Sequence, residues 1–157
     1  MKTHIDGLVI HCSDSTFGSV NLIKSWHTDK PPKGRGWDDT GYTMVICNGQ
    51  VENNTYVPFM DGAIEWGRDI DTNGAHTRGF NEFTSICLIG KSGKFTINQL
   101  ESVRKVILYL VDYAGLDPNK IYAHGDLDKK KEHCPGIDIK EFVKACIGLE
   151  VLDEFAT

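Results

Sequence analysis

The segment from Thr96 to Gly115, TINQLESVRKVILYLVDYAG, constrains the fold more than any other part of the chain. Thr96 and Gln99 have the spacing of a capping box, and Gly115 stands where a helix would end. Apolar residues recur at helical spacing, at Ile97, Leu100, Val103, Ile107, Leu110, Val111 and Ala114. A helix with one continuous apolar stripe must bury that stripe, so the chain needs a second layer beneath it.

Short apolar segments supply strands for that layer. Three segments are typical of strands: IDGLVIHC, FTSICLIG and KIYAH. Two further helices are predicted, one through VNLIKSWHT with Ser19 as its cap and a last one through DIKEFVKACIGL. Asn48 and Gly49 within YTMVICNGQVENN predict a hairpin turn. The stretch YVPFMDGAIEWGRDIDTNGAHTRGFNE has no regular period and is expected to be a long surface loop. The alternation predicts an α/β fold, with a mixed central β-sheet flanked by helices.

A chain of 157 residues is expected to form a single domain, with a core from about residue 5 to 147 and a short acidic tail, 148–157. The net charge of −5, without a basic stripe carrying interleaved aromatics, argues against a nucleic-acid partner. No apolar run reaches the roughly 18 residues of a membrane span, so no stable membrane insertion is expected. We expect a monomer.

Cysteine usage and the N-terminus indicate where such a chain is made. The five cysteines are scattered and none forms a CxxC pair, which argues against a disulfide framework and against a four-cysteine zinc site. MKTHIDGLVIHCS lacks the long apolar core and cleavage site of a secretory signal. The sequence therefore predicts a mature N-terminus and synthesis in a cytosol.

Two histidines and a cysteine form the candidate metal site. His11 and His124 stand at the predicted carboxyl ends of strands, the edge where α/β sheets usually bind ligands. Cys134 follows through a polar loop and precedes Pro135. Two imidazoles and a thiolate would give zinc three protein ligands and an open fourth position, which is typical of a catalytic site. From the residues alone, solvated or hydrogen-bonded histidines remain the alternative.

Four ordered blocks, LVIHCSDS, WDDTGYTMVICNGQVENN, GAHTRGFNEFTSICLIG and YAHGDLDKKKEHCPGIDI, carry a resemblance to a known family. They resemble the type 2 N-acetylmuramoyl-L-alanine amidases, especially small phage endolysins, which are related to peptidoglycan recognition proteins. The similarity extends from about Leu8 to Phe142. It implies a zinc-dependent hydrolase that cleaves the lactyl amide between muramic acid and L-alanine in peptidoglycan. It also implies that His11, His124 and Cys134 are the zinc ligands.

The resemblance also implies roles for residues around the metal. Tyr42 matches a tyrosine whose hydroxyl would assist the carbonyl oxygen or the attacking water; a solvated edge-strand tyrosine is the alternative. His76 and Asn81 belong to a block that lines the substrate groove, and bracing of their loop is the alternative for both. Trp37 lies in a predicted loop, where it would stack on a sugar face or pack the loop.

One position departs from the family pattern. Two residues before Cys134 the family commonly carries lysine or threonine, whereas this chain has Glu132. A carboxylate would repel a developing oxyanion, so Glu132 is expected to act instead as general base on the metal-bound water. Lys131 or Lys130 is then expected to supply the cation, with His133 as a possible proton carrier. A solvated loop face is the alternative for all of these side chains.

Together these observations predict a phage endolysin. It would be made in the host cytoplasm without a signal peptide and would act on the periplasmic cell wall after release. A secreted interbacterial amidase toxin is an alternative origin. The glutamate at position 132 also suggests a non-catalytic peptidoglycan-binding module on the same fold. A cytosolic regulator that binds a partner protein through the tail LEVLDEFAT is the hypothesis from a different class.

Overall fold

A mixed five-stranded sheet lies at the centre of the computed structural model, which describes residues 4–157. The strands are β1 (Leu8–Cys12), β2 (Met44–Glu52), β3 (Thr55–Trp66), β4 (Thr84–Leu88) and β5 (Ile121–Ala123), and their order is β3-β2-β4-β1-β5. β1 runs parallel to β4 and β5, β2 runs parallel to β4, and only β3 is antiparallel to its neighbour. The predicted α/β fold with a mixed, helix-flanked sheet is confirmed.

The helices within the described chain are α1 (Val20–Thr28), α2 (Ile97–Ala114), α3 (His124–Leu127) and α4 (Ile139–Ile147). α2 begins as the capping box predicts, because the Thr96 side chain accepts from the Gln99 N–H and the Gln99 side chain accepts from the Thr96 N–H, each at 3.1 Å. It ends at Gly115 in the left-handed conformation, φ 66°. Ser19 caps α1 by accepting from the Leu22 N–H. These helix predictions are confirmed.

The two faces of the sheet pack against different helices. Beneath α2 and α4 lie Leu8, Ile10, Met44, Ile46, Ile86 and Leu88, all buried. On the opposite face, Val45 and Cys87 pack with Ile23 of α1. Since neighbouring residues of a strand point to opposite faces, His11 of β1, which is in register with Cys87, lies on the α1 face. The site therefore develops on the α1 face of the sheet, away from the larger apolar core.

The hairpin predicted at Asn48 and Gly49 is wrong. β2 continues through both residues, and the chain turns at Asn53 and Asn54, where Asn54 has φ 63°. Gly49 uses its positive φ of 86° within the strand, where the register with β3 shifts. A Cβ at Gly49 would come within 2.2 Å of the Tyr56 ring. The glycine therefore serves a strand irregularity and a close aromatic contact instead of a turn.

The long surface loop predicted before β4 is also wrong in its first half, which forms the 12-residue strand β3. In the part of the chain that the structure describes, β3 is an edge strand that pairs only with β2, and all of its residues are exposed or half-buried. Phe59, for example, is 82% exposed. An edge strand without one consistently buried face shows no clean two-residue alternation, so periodicity missed it. From Gly67 to Phe83 the chain follows turns and bends, as predicted.

The acidic tail packs on the body of the domain. Leu152 is 1% exposed, and the Phe155 ring lies 5.4 Å from that of Phe142 in an edge-to-face contact. The Thr157 N–H donates to the Phe95 carbonyl oxygen at 3.0 Å. In the part of the chain that the structure describes, none of the helices has the length and hydropathy to cross a bilayer.

Candidate active site

Two imidazoles and one thiol meet at the carboxyl edge of the sheet. His11 is the fourth residue of β1, His124 follows β5 directly, and Cys134 lies in the loop after α3. Because β1 and β5 are parallel neighbours, both histidines reach the same edge. One donor atom from each residue lies within 4.8 Å of the other two, and the Nδ1 atoms of His11 and His124 are 3.0 Å apart. Tetrahedral zinc places nitrogen and sulfur donors roughly 3.3–3.6 Å apart, so the three residues fit such a cation after small adjustments.

The far nitrogen of His11 is held by His76. The Nε2 atom of His76 lies 3.0 Å from the Phe83 carbonyl oxygen, which can only accept, so Nε2 carries the proton. Burial lowers the pKa of His76 to about 4, so its ring is neutral and Nδ1 is bare. This Nδ1 then accepts from the Nε2–H of His11 at 3.1 Å. Burial, with nearby His124 and His76, also lowers the pKa of His11, which leaves its Nδ1 lone pair facing the cluster.

Cys134 is fixed by the backbone around it. The Cys12 N–H donates to the Cys134 sulfur at 3.3 Å, and the Gly125 N–H donates to the Cys134 carbonyl oxygen at 3.0 Å. Gly125 tolerates this approach because it lacks a Cβ, which would come within 2.8 Å of the Glu132 backbone. A hydrogen bond from the Cys134 thiol lowers the pKa of the adjacent Cys12 to about 7 and raises that of Cys134. The two thiols therefore form a pair beside the imidazoles.

Tyr42 lies against the ligand cluster, with its ring centroid 5.0 Å from that of His11. Burial raises the pKa of Tyr42 well above its ordinary value, so the hydroxyl keeps its proton at neutral pH. Behind it, His27 of α1 accepts the Gly41 N–H at Nδ1, 2.9 Å away, and its ring centroid is 5.5 Å from that of Tyr42. Burial, and then the positive charges of two arginines, lower the pKa of His27. A neutral imidazole therefore fixes the backbone immediately before Tyr42.

A cavity of about 460 Å³ opens beside the cluster. His124, Cys134 and Tyr42 line it. The remaining lining residues are Cys12, Ser13, Asp14, Arg35, Ser92, Lys130, Lys131 and His133. The side chains of this wall are mostly polar, and several are cationic, so the cavity suits a polar substrate that carries negative charge.

Glu132 does not line this cavity. It borders a separate cavity of about 390 Å³, and its carboxylate pairs with the exposed His133 at 3.3 Å. The physical reason is the 3-10 turn Lys129–Lys131, which begins where the Asp128 side chain accepts from the Lys130 N–H. After this turn, Lys130, Lys131 and His133 line the ligand cavity, whereas Glu132 borders the other cavity together with Cys134. Lys131 lines the ligand cavity, whereas Glu132 contacts it through His133, and the catalytic roles of Lys131 and Glu132 stay predictions.

The other predicted substrate residues take supporting positions. The Asn81 side-chain oxygen accepts from the N–H groups of His76 and Thr77, each at 2.9 Å, which braces their loop. His76 lies behind His11, as described above, and is half-buried. Trp37 is half-buried, with its ring 4.8 Å from that of His27, and it borders a further cavity of about 590 Å³. These placements favour bracing for Asn81 and His76, and they place Trp37 at the border of a cavity.

Sequence reasoning missed three residues that the fold brings to the site. Cys12 directly follows His11, and that adjacency was its only signal. Arg35 lies two residues before Trp37 in a loop rich in glycine and proline, where nothing in the local pattern distinguishes it. His27 lies within the segment VNLIKSWHT, which the sequence predicts only as a helix. Its hydrogen bond to Gly41 depends on a contact between residues 14 apart in the chain, which no local period encodes.

Comparison with known proteins identifies the family. Residues 1–137 match the family model described as N-acetylmuramoyl-L-alanine amidase. The chain belongs to this amidase family. The predicted family and enzyme class are thereby confirmed, and the His-His-Cys cluster is compatible with the metal dependence common among these amidases.

The amidase is similar to curated phage proteins over most of its length. It is 31% identical over 149 residues to the endolysin of Escherichia phage T7, covering 87% of this chain and 84% of that protein. It is 30% identical over 147 residues to the endolysin of Klebsiella phage KP32, covering 86% of this chain and 83% of the relative.

Solved structures share its fold. The amidase LysC from Clostridium intestinale matches with a TM-score of 0.72 at 22% identity, over 94% of this chain and 87% of that one. A complex of peptidoglycan recognition proteins LCa and LCx with bound tracheal cytotoxin matches with a TM-score of 0.68 at 26% identity, over 92% and 83% of the two chains. The amidase therefore has the architecture that catalytic amidases share with recognition proteins.

Proposed function

We propose that this amidase is a zinc-dependent endolysin that hydrolyses the amide between the lactyl group of muramic acid and L-alanine. The observation that carries the proposal is the convergence of His11, His124 and Cys134 at one edge of a polar cavity. A bound zinc ion would polarise the scissile carbonyl and lower the pKa of a bound water to about 7. His11 and His124 would present their Nδ1 atoms, since the Nε2 of His11 donates to His76.

The protein's own side chains would supply orientation and protons around the scissile amide. Tyr42 keeps its hydroxyl proton at neutral pH, so it can donate a hydrogen bond to the carbonyl oxygen as negative charge develops there. Lys131 lines the cavity and is the candidate for the cation that the family commonly places near Cys134. Trp37, which borders a cavity of about 590 Å³, is the candidate to stack on a sugar ring.

The test is to measure bound metal by elemental analysis and to identify the products of purified murein by mass spectrometry. We expect about one zinc per chain and soluble peptides that begin with L-alanine. Cys134→Ser should lose both metal and activity. Cys47→Ser is the matched control, because Cys47 is buried in β2 and donates to Glu65, away from the cluster. Full activity in Cys134→Ser after exhaustive chelation would overturn the proposal.

The endolysin role rests on the phage relatives, and with it we propose that the protein accumulates in the host cytoplasm and meets the wall after release. Expression in a Gram-negative cytosol should leave cells intact until the inner membrane is permeabilised, when lysis should follow within minutes to hours. An interbacterial toxin would be favoured if the exported protein lysed cells from outside while the cytosolic protein caused no lysis even after permeabilisation. Gel filtration at several concentrations tests the expected monomer.

The two remaining hypotheses lose support in this structure. A non-catalytic module was suggested by Glu132, yet Lys131 lines the ligand cavity and can supply the cation in its place. A regulator acting through the acidic tail needs a free tail, yet Leu152 is buried and Phe155 packs on Phe142.

A further inference from the structure

The charge around the ligand cavity is opposite to that of the protein as a whole. The chain carries a net charge of −5, yet Arg35, Lys130 and Lys131 all line this one cavity. Among the described residues, 4–157, one carboxylate lines the cavity, that of Asp14; it is paired with Lys91 at 3.2 Å and is therefore partly neutralised. A cationic cavity on an acidic protein concentrates anionic ligands and disfavours neutral ones.

Arg35 is held in a defined position beside this cavity. Its guanidinium lies over the Trp37 ring, 5.0 Å from the centroid, and its backbone N–H donates to the Trp26 carbonyl oxygen at 3.1 Å. Stacking holds the plane of the guanidinium while leaving its N–H groups available. Among residues 4–157, none of the ion pairs involves Arg35 or Lys130. The fork of donors is therefore open to a ligand.

We propose that Arg35 and Lys130 form a carboxylate-binding subsite that recognises a free carboxylate on the stem peptide beside the scissile amide. The inference rests on the proposed function and adds substrate selectivity to it. In peptidoglycan, L-alanine is followed by a D-glutamate linked through its side chain, whose α-carboxylate is either free or amidated. A planar guanidinium binds a carboxylate through two parallel hydrogen bonds, whereas a carboxamide offers one acceptor and no charge. The subsite therefore distinguishes the free acid from the amide.

The experiment compares two synthetic muramyl peptides that differ only in this group, the free carboxylate or the carboxamide. The wild-type protein should cleave the acid with a kcat/KM about tenfold higher than that for the amide, mainly through a lower KM. A tenfold effect is at the low end for a charge-assisted hydrogen bond at an exposed site. Arg35→Gln and Lys130→Gln should each lose most of this preference, because kcat/KM should fall more for the acid than for the amide. Lys33→Gln is the control, because Lys33 is exposed in the same loop and does not line the cavity.

A binding measurement separates recognition from catalysis. The released stem peptide, in acid and amide forms, is titrated calorimetrically into each variant, and the acid should bind more tightly to the wild type but not to Arg35→Gln. Equal cleavage and equal binding of the two forms by the wild type would overturn the subsite and leave the amidase intact. An equal loss of kcat/KM for the acid and the amide in Arg35→Gln would also overturn the subsite. Failure of the wild type to cleave either form would instead refute the proposed function.

Discussion

Replacement of His27 tests how the tyrosine of the site is held in place. Its Nδ1 accepts the buried Gly41 N–H at 2.9 Å, and its ring packs against Trp37 and Tyr42. His27→Leu keeps similar bulk but leaves this N–H without an acceptor, which costs about 1–3 kcal/mol. Loss of the aromatic contacts adds about 0.5–1.5 kcal/mol. We therefore expect the free energy of unfolding to fall by about 2–4 kcal/mol.

His27→Asn separates the two contributions, because its side-chain oxygen can accept near the position of Nδ1 although it has no aromatic ring. Urea unfolding followed by tryptophan fluorescence in the presence of chelator gives both stabilities without metal linkage. The Asn variant should be more stable than the Leu variant by about 1 kcal/mol or more, the net value of one hydrogen bond. His4→Asn serves as a control, because His4 is exposed and pairs with Asp6 at the surface.

The same variants report on catalysis. If the hydrogen bond to Gly41 positions the hydroxyl of Tyr42, His27→Leu should lower kcat by about tenfold or more, because displacement of a catalytic group by about 1 Å can cost a hundredfold. His27→Asn should recover much of that loss, and KM should change little in either variant. Equal stability of the wild type and the Leu variant, or equal losses in Leu and Asn, would refute the role assigned to this hydrogen bond.

The remaining predictions concern the buried end of α2, the protonation of His27, and the side chains of Glu132 and Tyr42. Gln99 is fully buried, and its amide donates to the carbonyl oxygens of Ile46 and Ile89, each at 2.9 Å. Gln99→Leu should therefore lower the free energy of unfolding by about 2–4 kcal/mol in urea, relative to the exposed control Lys105→Gln. Because burial lowers the pKa of His27 below its ordinary value of 6.5, the unfolded imidazole is protonated first on acidification. The free energy of unfolding of the metal-free protein should thus keep its full value above pH 6.5 and fall at lower pH. It should fall less steeply in His27→Asn. Glu132→Gln should change kcat/KM by no more than about twofold, since the carboxylate does not line the ligand cavity. Tyr42→Phe should reduce kcat/KM about a hundredfold or more. A large loss of activity in Glu132→Gln would instead show that Glu132 takes part in the reaction.

Much of the fold was accessible from local pattern. α2 shows its capping box, apolar stripe and terminal glycine directly in the sequence, and all three have local physical causes. β3 was missed because an exposed edge strand has no buried face to impose a period. Asn48-Gly49 was misread because a positive φ at glycine serves a strand irregularity as readily as a turn. Local reasoning identifies a glycine's freedom but not the use that the tertiary structure makes of it.

The candidate site, like the fold, could be predicted from the sequence only in part. His11, His124 and Cys134 were found because strand ends and ligand chemistry are visible in the sequence, and the fold brings them together. The hydrogen bond of His76 to His11 joins residues 65 apart, and the placement of Arg35 depends on how its loop folds over Trp37. The orientation of Glu132 depends on one turn of 3-10 helix. Such relations belong to the assembled chain and require coordinates.

The alternation within β1 links stability to chemistry in a way that limits how this strand can change. Ile10 points into the large core and His11 into the site, although they are adjacent. Deleting or inserting one residue in this strand would send the imidazole into the apolar interior and the isoleucine into the active site. Variants that retain activity should therefore accept substitutions in β1 but not changes in its length, and loops elsewhere should absorb any insertions.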